Sequence, residues 1–181
     1  MGNNQPQQVQ LEMIPLLFNA SETVKRLERY IEKYIGGGSI LSIYVNFRDA
    51  LIHYAQISKL LNTPGLTPEK LKIDCEKQRH SIIEHLTRSY TDACVYILLQ
   101  TGIKLHHLAG LITIHSTQKA EIIKHLHIVR NMLLDIRLAG ADIERDTSIE
   151  IMDTINACDS VRTYLEHHGL WDQFFHSTGS R

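Results

Sequence analysis

What is scarce in this chain excludes more than what is abundant. Only three cysteines occur in 181 residues, Cys75, Cys94 and Cys158. The number is odd, and no Cys-x-x-Cys or Cys/His ligand spacing accompanies them, which argues against a disulfide framework and against a cysteine-held zinc. The thiols are therefore expected to be reduced and the protein cytoplasmic. No apolar run approaches the ~20 residues needed to cross a bilayer, so no membrane partner is expected. There is no phosphate-loop Gly-x-x-x-x-Gly-Lys and no His-Glu-x-x-His. Neither sign of charge dominates: 19 basic and 20 acidic side chains leave a net charge of −1. Nothing in bulk composition forces a nucleic-acid partner, and a basic groove would have to arise by local clustering. Eleven histidines are the unusual surplus; they would add positive charge in acid.

Hydrophobic periodicity and helix punctuation organise the rest. Residues 1–10, MGNNQPQQVQ, are polar and uncharged; they read as a disordered tail, and as no secretory signal. A helix is expected from Ser21, with Val24, Leu27, Tyr30, Ile31 and Tyr34 at threes and fours, ended by Gly36-Gly37-Gly38. Ser39 caps a second helix reaching about Leu61. Thr67-Pro68-Glu69 starts a third, expected to reach Gln100 and stop at Thr101-Gly102, with a kink or break near Gln78–Ser81. Residues 103–115 read as helix, although Leu111–Ile114 has strand-like composition. Ser116-Thr117 caps the next helix, ended by Gly140, and Thr147 caps a last one to His168, ended by Gly169. The aromatics of Leu170–Phe175 are expected to fold back on the helices. The expected fold is thus all-α, an up-and-down bundle of about five to six helices. Residues 11–176 form one domain in this reading, and 177–181 a second disordered tail.

The second helix carries the candidate chemistry. Asn46, Asp49, His53 and Gln56 recur at threes and fours and share a polar stripe. Asp49 and His53 are four apart, the spacing at which helical side chains meet. A carboxylate there could fix the imidazole tautomer and leave the other ring nitrogen free for a proton. Arg48 beside them offers a planar cationic fork suited to phosphate. Such a trio is also common on helix surfaces as a modest ion pair.

The segment Phe47–Tyr54, FRDALIHY, resembles the signature of HEPN domains, in which an Arg, a polar residue and a His are set as Arg-polar-x-x-x-His on a helix of an α bundle. Arg48, Asp49 and His53 match all three positions, and the resemblance covers mainly residues 20–100. It implies an HEPN-like fold and a homodimer in which two copies of the motif face one cleft. It also implies metal-independent RNA cleavage in a toxin, phage-defence or RNA-processing context, with no cofactor. His53 would move protons at the 2′-OH or leaving oxygen, Arg48 would hold the charged phosphorane, and Asp49 would orient the site. Asn46, Tyr54 and Gln56 are the expected substrate-binding neighbours. One toxin subgroup continues His-x-Tyr; here Ala55 holds that place. This speaks against that subgroup's nucleotidyltransferase antitoxin, while another antitoxin or an effector protein stays among the expected partners. Some members of the family are non-catalytic modules for dimerisation and for nucleotide or protein binding.

Other clusters are weaker. Arg79 and His85, six apart, form a reserve site on the third helix, with Ser81 and Ser89 one turn from His85. Gly36–Ser39 precedes a helix N-terminus but is explained as a helix break. The pairs His106-His107, His125-x-His127 and His167-His168 lack metal-site spacing, so no metal is expected.

Overall fold

The computed structural model of the chain describes residues 5–36, 41–111, 113–139 and 147–176. It is all-α: six α-helices and one π turn, with no strand among the described residues. The helices are α1 (Gln5–Tyr30), continued by the π turn Ile31–Ile35, then α2 (Leu41–Leu61), α3 (Pro68–Gly110), α4 (Ser116–Ala139), α5 (Thr147–His167) and α6 (Trp171–His176). No helix among the described residues is long and apolar enough to cross a membrane. The chain divides into two compact units, Met1–Leu27 with Ile40–Tyr90, and Glu28–Ser39 with Thr91–Arg181. The divisions fall within α1, between Ser39 and Ile40, and within α3.

The first unit is built on a seam that the sequence reading missed. Residues 5–10, expected to be a disordered tail, form the start of α1, and the helix begins at Gln5 rather than Ser21. Val9, Met13, Leu17 and Ala20 recur at threes and fours and are buried against Ala50 and Ile57 of α2 and Cys75, Ile82 and Leu86 of α3. Burial of that seam overrides Pro15, which removes one helical donor. Gln10 Nε2 also donates to Ser58 Oγ at 2.7 Å, tying α1 to α2. Residues 1–4 and 177–181 lie outside the described residues, as do Gly37, Gly38, Ser39 and Gly140.

Several expected boundaries hold for local reasons. Gly36 takes a left-handed φ of 89° and its N–H donates to Ile31 O at 3.1 Å, closing the π turn; a side chain would be strained there. Thr67 Oγ1 accepts from Lys70 N–H at 3.3 Å, with Pro68 the first helical residue. At the end of α5, Gly169 (φ 65°) donates to Glu166 O and Leu170 N–H donates to Leu165 O at 2.8 Å, a Schellman stop. One boundary fails: α3 runs through Gln78–Ser81 without a break, and past Thr101-Gly102 to Gly110. Thr101 is buried, with its hydroxyl 3.5 Å from Cys158 Sγ, so tertiary packing keeps the helix going where local propensity would end it. Residues 111 and 113–115 are not helical, which shortens the helix expected over 103–115.

In the second unit α4 and α5 pack on each other, and α6 packs on α5. The aromatic fold-back expected for the tail is present: Trp171 meets Tyr34 edge-on with centroids 6.4 Å apart, and Phe174 is buried. Beside them lies a buried lysine. Lys104 Nζ donates to Phe175 O at 2.8 Å and sits over the rings of Phe174 and Phe175. Burial lowers its pKa from the ordinary 10.5.

Two half-buried phenols lose stabilisation at alkaline pH, as does the Cys158 thiol, which burial pushes up to about 11. Burial pushes the Tyr90 hydroxyl in the first unit up to about 12, against the opposing effect of its hydrogen bond with Thr23. In the second unit Tyr30 is raised by burial, then by nearby Cys158 and Asp159, whose Oδ1 accepts its hydroxyl at 3.2 Å. Both groups hold their proton longer when folded. Their stabilisation is complete below the ordinary value of 10.0 and is lost as pH rises from there through the folded pKa, which for Tyr90 is about 12. Lys104 acts in the opposite sense below 10.5, because the folded state releases its proton first. Urea midpoints are expected to fall over that alkaline window, and to fall less steeply in Tyr90→Phe.

Candidate functional site: paired histidines on α2 and α3

Within the first unit, α2 presents Asn46 and His53 seven residues apart, and α3 presents Gln78 and His85 at the same interval. Seven residues make about two helical turns, so each amide shares a face with its histidine. The two helices pass antiparallel here, which sets the amide of one beside the imidazole of the other. His53 Nδ1 lies 2.7 Å from Gln78 Oε1, and His85 Nδ1 lies 3.3 Å from Asn46 Oδ1. An amide oxygen only accepts, so each ring donates through Nδ1–H. The neutral imidazole then carries its lone pair on Nε2. Among the described residues neither Nε2 is hydrogen-bonded. The rings stack with centroids 5.2 Å apart and planes inclined by 23°. All four side chains are half-buried.

The register of this quartet is fixed from both sides. Ala50, Ile57, Ile82 and Leu86 are buried in the core of the unit. Ser89, also buried, donates its hydroxyl to Ile43 O at 3.0 Å and clamps the start of α2 to α3. A half-buried pair of imidazoles held at Nδ1 and open at Nε2 can accept one proton while donating another, which is the elementary requirement of paired acid–base chemistry.

The expected trio on α2 is arranged differently from its sequence reading. Asp49 does not orient His53; its Oδ1 accepts from Arg48 Nε at 3.0 Å and Nη2 at 2.8 Å. The adjacent guanidinium reaches the carboxylate first, and Gln78 takes the orienting place beside His53. Arg48 is 65% exposed and Asp49 29%. A surface pair of this kind contributes only about 0–1 kcal/mol, so Arg48 can exchange Asp49 for another anion at little cost. Arg48 also borders a shallow apolar groove with Leu41, Tyr44, Phe47 and Leu51. Of the expected substrate-binding residues, Asn46 belongs to the quartet. Tyr54 packs on the hydrophobic core and Gln56 is exposed.

The reserve residues separate. His85 joins His53, whereas Arg79 pairs with Glu76 at 3.5 Å, and its Nε is buried without a hydrogen bond. Gln78 was not singled out as a functional residue. Its signal was the repeated amide-x₆-His interval, Asn46 to His53 and Gln78 to His85. Among the described residues no group of three or more His, Cys, Asp or Glu could hold a metal ion. Comparison of the chain with known protein families, with curated proteins and with solved structures finds no match.

Proposed function

We propose that the chain is an HEPN-like, metal-independent endoribonuclease acting as a homodimer, with a toxin or phage-defence role as its setting. The observation that carries the reading is the stacked His53–His85 pair, each ring held through Nδ1 by an amide oxygen and open at Nε2. RNA supplies its own nucleophile. One imidazole takes the proton of the 2′-OH as that oxygen bonds to phosphorus, and the other, protonated, gives its proton to the 5′-oxygen as the P–O5′ bond breaks. The products are a 2′,3′-cyclic phosphate and a 5′-hydroxyl, with no net proton consumed. Arg48 supplies the permanent positive charge that the pentacoordinate phosphorane needs.

The test is direct. Purified protein is incubated with structured and unstructured RNA in EDTA, beside His53→Ala and Arg48→Ala. Cleavage by the parent and by neither variant supports the proposal. Equal cleavage by all three assigns the activity to a contaminating nuclease and overturns it.

A second reading draws on the apolar groove of Leu41, Tyr44, Phe47 and Leu51 beside Arg48. There α2 serves as a non-catalytic surface for dimerisation, or for a nucleotide, an antitoxin or an effector protein. Partner binding that survives His53→Ala and His85→Ala, with no RNA cleavage by the parent, favours this reading.

A further inference from the structure

The second unit holds a groove that the proposed ribonuclease chemistry does not use. It lies between facing stripes of α3 and α4, spaced at helical threes and fours: Gly102, Ile103 and His106 on one side, Val129, Arg130 and Leu133 on the other. Gly102 is central to it. A methyl group added there would stand 3.8 Å from Leu126 Cδ1 and Val129 Cγ1, ordinary contact distance. The missing side chain therefore leaves space over the floor of the groove rather than relieving a clash. The opening has a volume of about 310 Å³, at the lower end of the range for small-molecule sites. Its lining is hydrocarbon apart from His106 and Arg130, and no acidic group lines it. Among the described residues Arg130 forms no ion pair, and both it and His106 are exposed at the rim.

We propose that this groove binds an unbranched alkyl carboxylate of medium length, with the chain laid between α3 and α4 and the carboxylate at Arg130. Hydrocarbon walls recognise the chain by removing its methylenes from water. A guanidinium that forms no ion pair among the described residues recognises the head group, for which its fork is matched. The charge pattern selects against a second copy of the protein as occupant. A two-fold contact through this face repeats the same surface on both partners and sets cationic rims against each other.

Calorimetric titration of the full chain with octanoate, decanoate and dodecanoate, below their micelle concentrations, tests this. Affinity is expected to rise about fourfold per methylene until the groove is full. Arg130→Met, which keeps an apolar stem, should weaken decanoate up to about fivefold and leave decanol unchanged. Gly102→Leu and Leu133→Trp should each abolish binding by filling the space. Gly102→Ala serves as the folding control, with a melting temperature no lower than the parent's. No binding overturns the proposal, as does affinity that ignores chain length or survives both filled variants. Self-association in sedimentation that disappears in the same filled variants also overturns it and assigns the groove to a second copy.

Discussion

Alanine at His85 is expected to lower RNA cleavage as much as alanine at His53, by about 10²–10⁴-fold, the usual range for one general acid or base. The double variant should lose little more than either single one, because two groups that act on one proton relay fail together. Single-turnover rates on a fixed oligonucleotide, with far-ultraviolet circular dichroism to confirm folding, provide the measurement. Gln78→Met separates orientation from proton transfer. It removes the 2.7 Å acceptor at His53 Nδ1 while keeping similar bulk. The ring can then adopt the other tautomer, so a loss smaller than that of His53→Ala is expected. If His85→Ala cleaves like the parent while His53→Ala does not, the pairing has no catalytic meaning, and a single imidazole does the work.

Phe174→Ala should be the most destabilising single change in the second unit, at about 3–5 kcal/mol for truncation of a fully buried aromatic. Phe174 is 2% exposed and stacks on Trp171 with centroids 5.3 Å apart. The helix that carries it, α6, has six residues, too few to stand without tertiary packing. Its ring also covers Lys104, whose ammonium lies 5.5 Å from the ring centroid. Losing the ring lets water reach that amine, so the lowered pKa of Lys104 should move back toward the ordinary lysine value. Denaturant unfolding monitored by circular dichroism measures the first effect, and the nuclear magnetic resonance titration of the lysine side chain measures the second. A loss below about 1 kcal/mol would mean that α6 contributes little to the unit.

Helix stops and starts written in local chemistry were legible. Gly36, Thr67-Pro68 and Gly169 each act through their own backbone or one neighbouring bond, and each lies where the sequence places it. Features decided by distant partners were not. The first turns of α1 look like a tail because residues 5–10 carry no charge and little that is apolar, and beyond them Leu11 and Phe18 are exposed with Pro15 inside the helix. Only contact with Ala50 and Ile57 shows that Val9, Met13 and Leu17 form a core stripe. Thr101-Gly102 reads as a stop until Cys158 and Val129 are seen beside it. In the candidate site, Arg48 and His53 were found by motif spacing. The bonds they form were not, because spacing on one helix cannot say that Asp49 turns to Arg48 or that α3 brings Gln78 and His85.

The amide-x₆-His arrangement is nearly its own image: exchange α2 for α3 and each imidazole still finds a carbonyl oxygen at Nδ1. Nothing inside the quartet therefore decides which ring would take the 2′-OH proton and which would give one to the 5′-oxygen in the proposed reaction. For a substrate with a direction, such as an RNA strand read 5′ to 3′, that choice has to come from outside. Arg48 belongs to α2, and the same exchange sets His80, not an arginine, at its counterpart on α3. In the proposed reaction this one-sided guanidinium would break the tie, so that moving a cation from one helix to the other should reverse the polarity in which the strand lies.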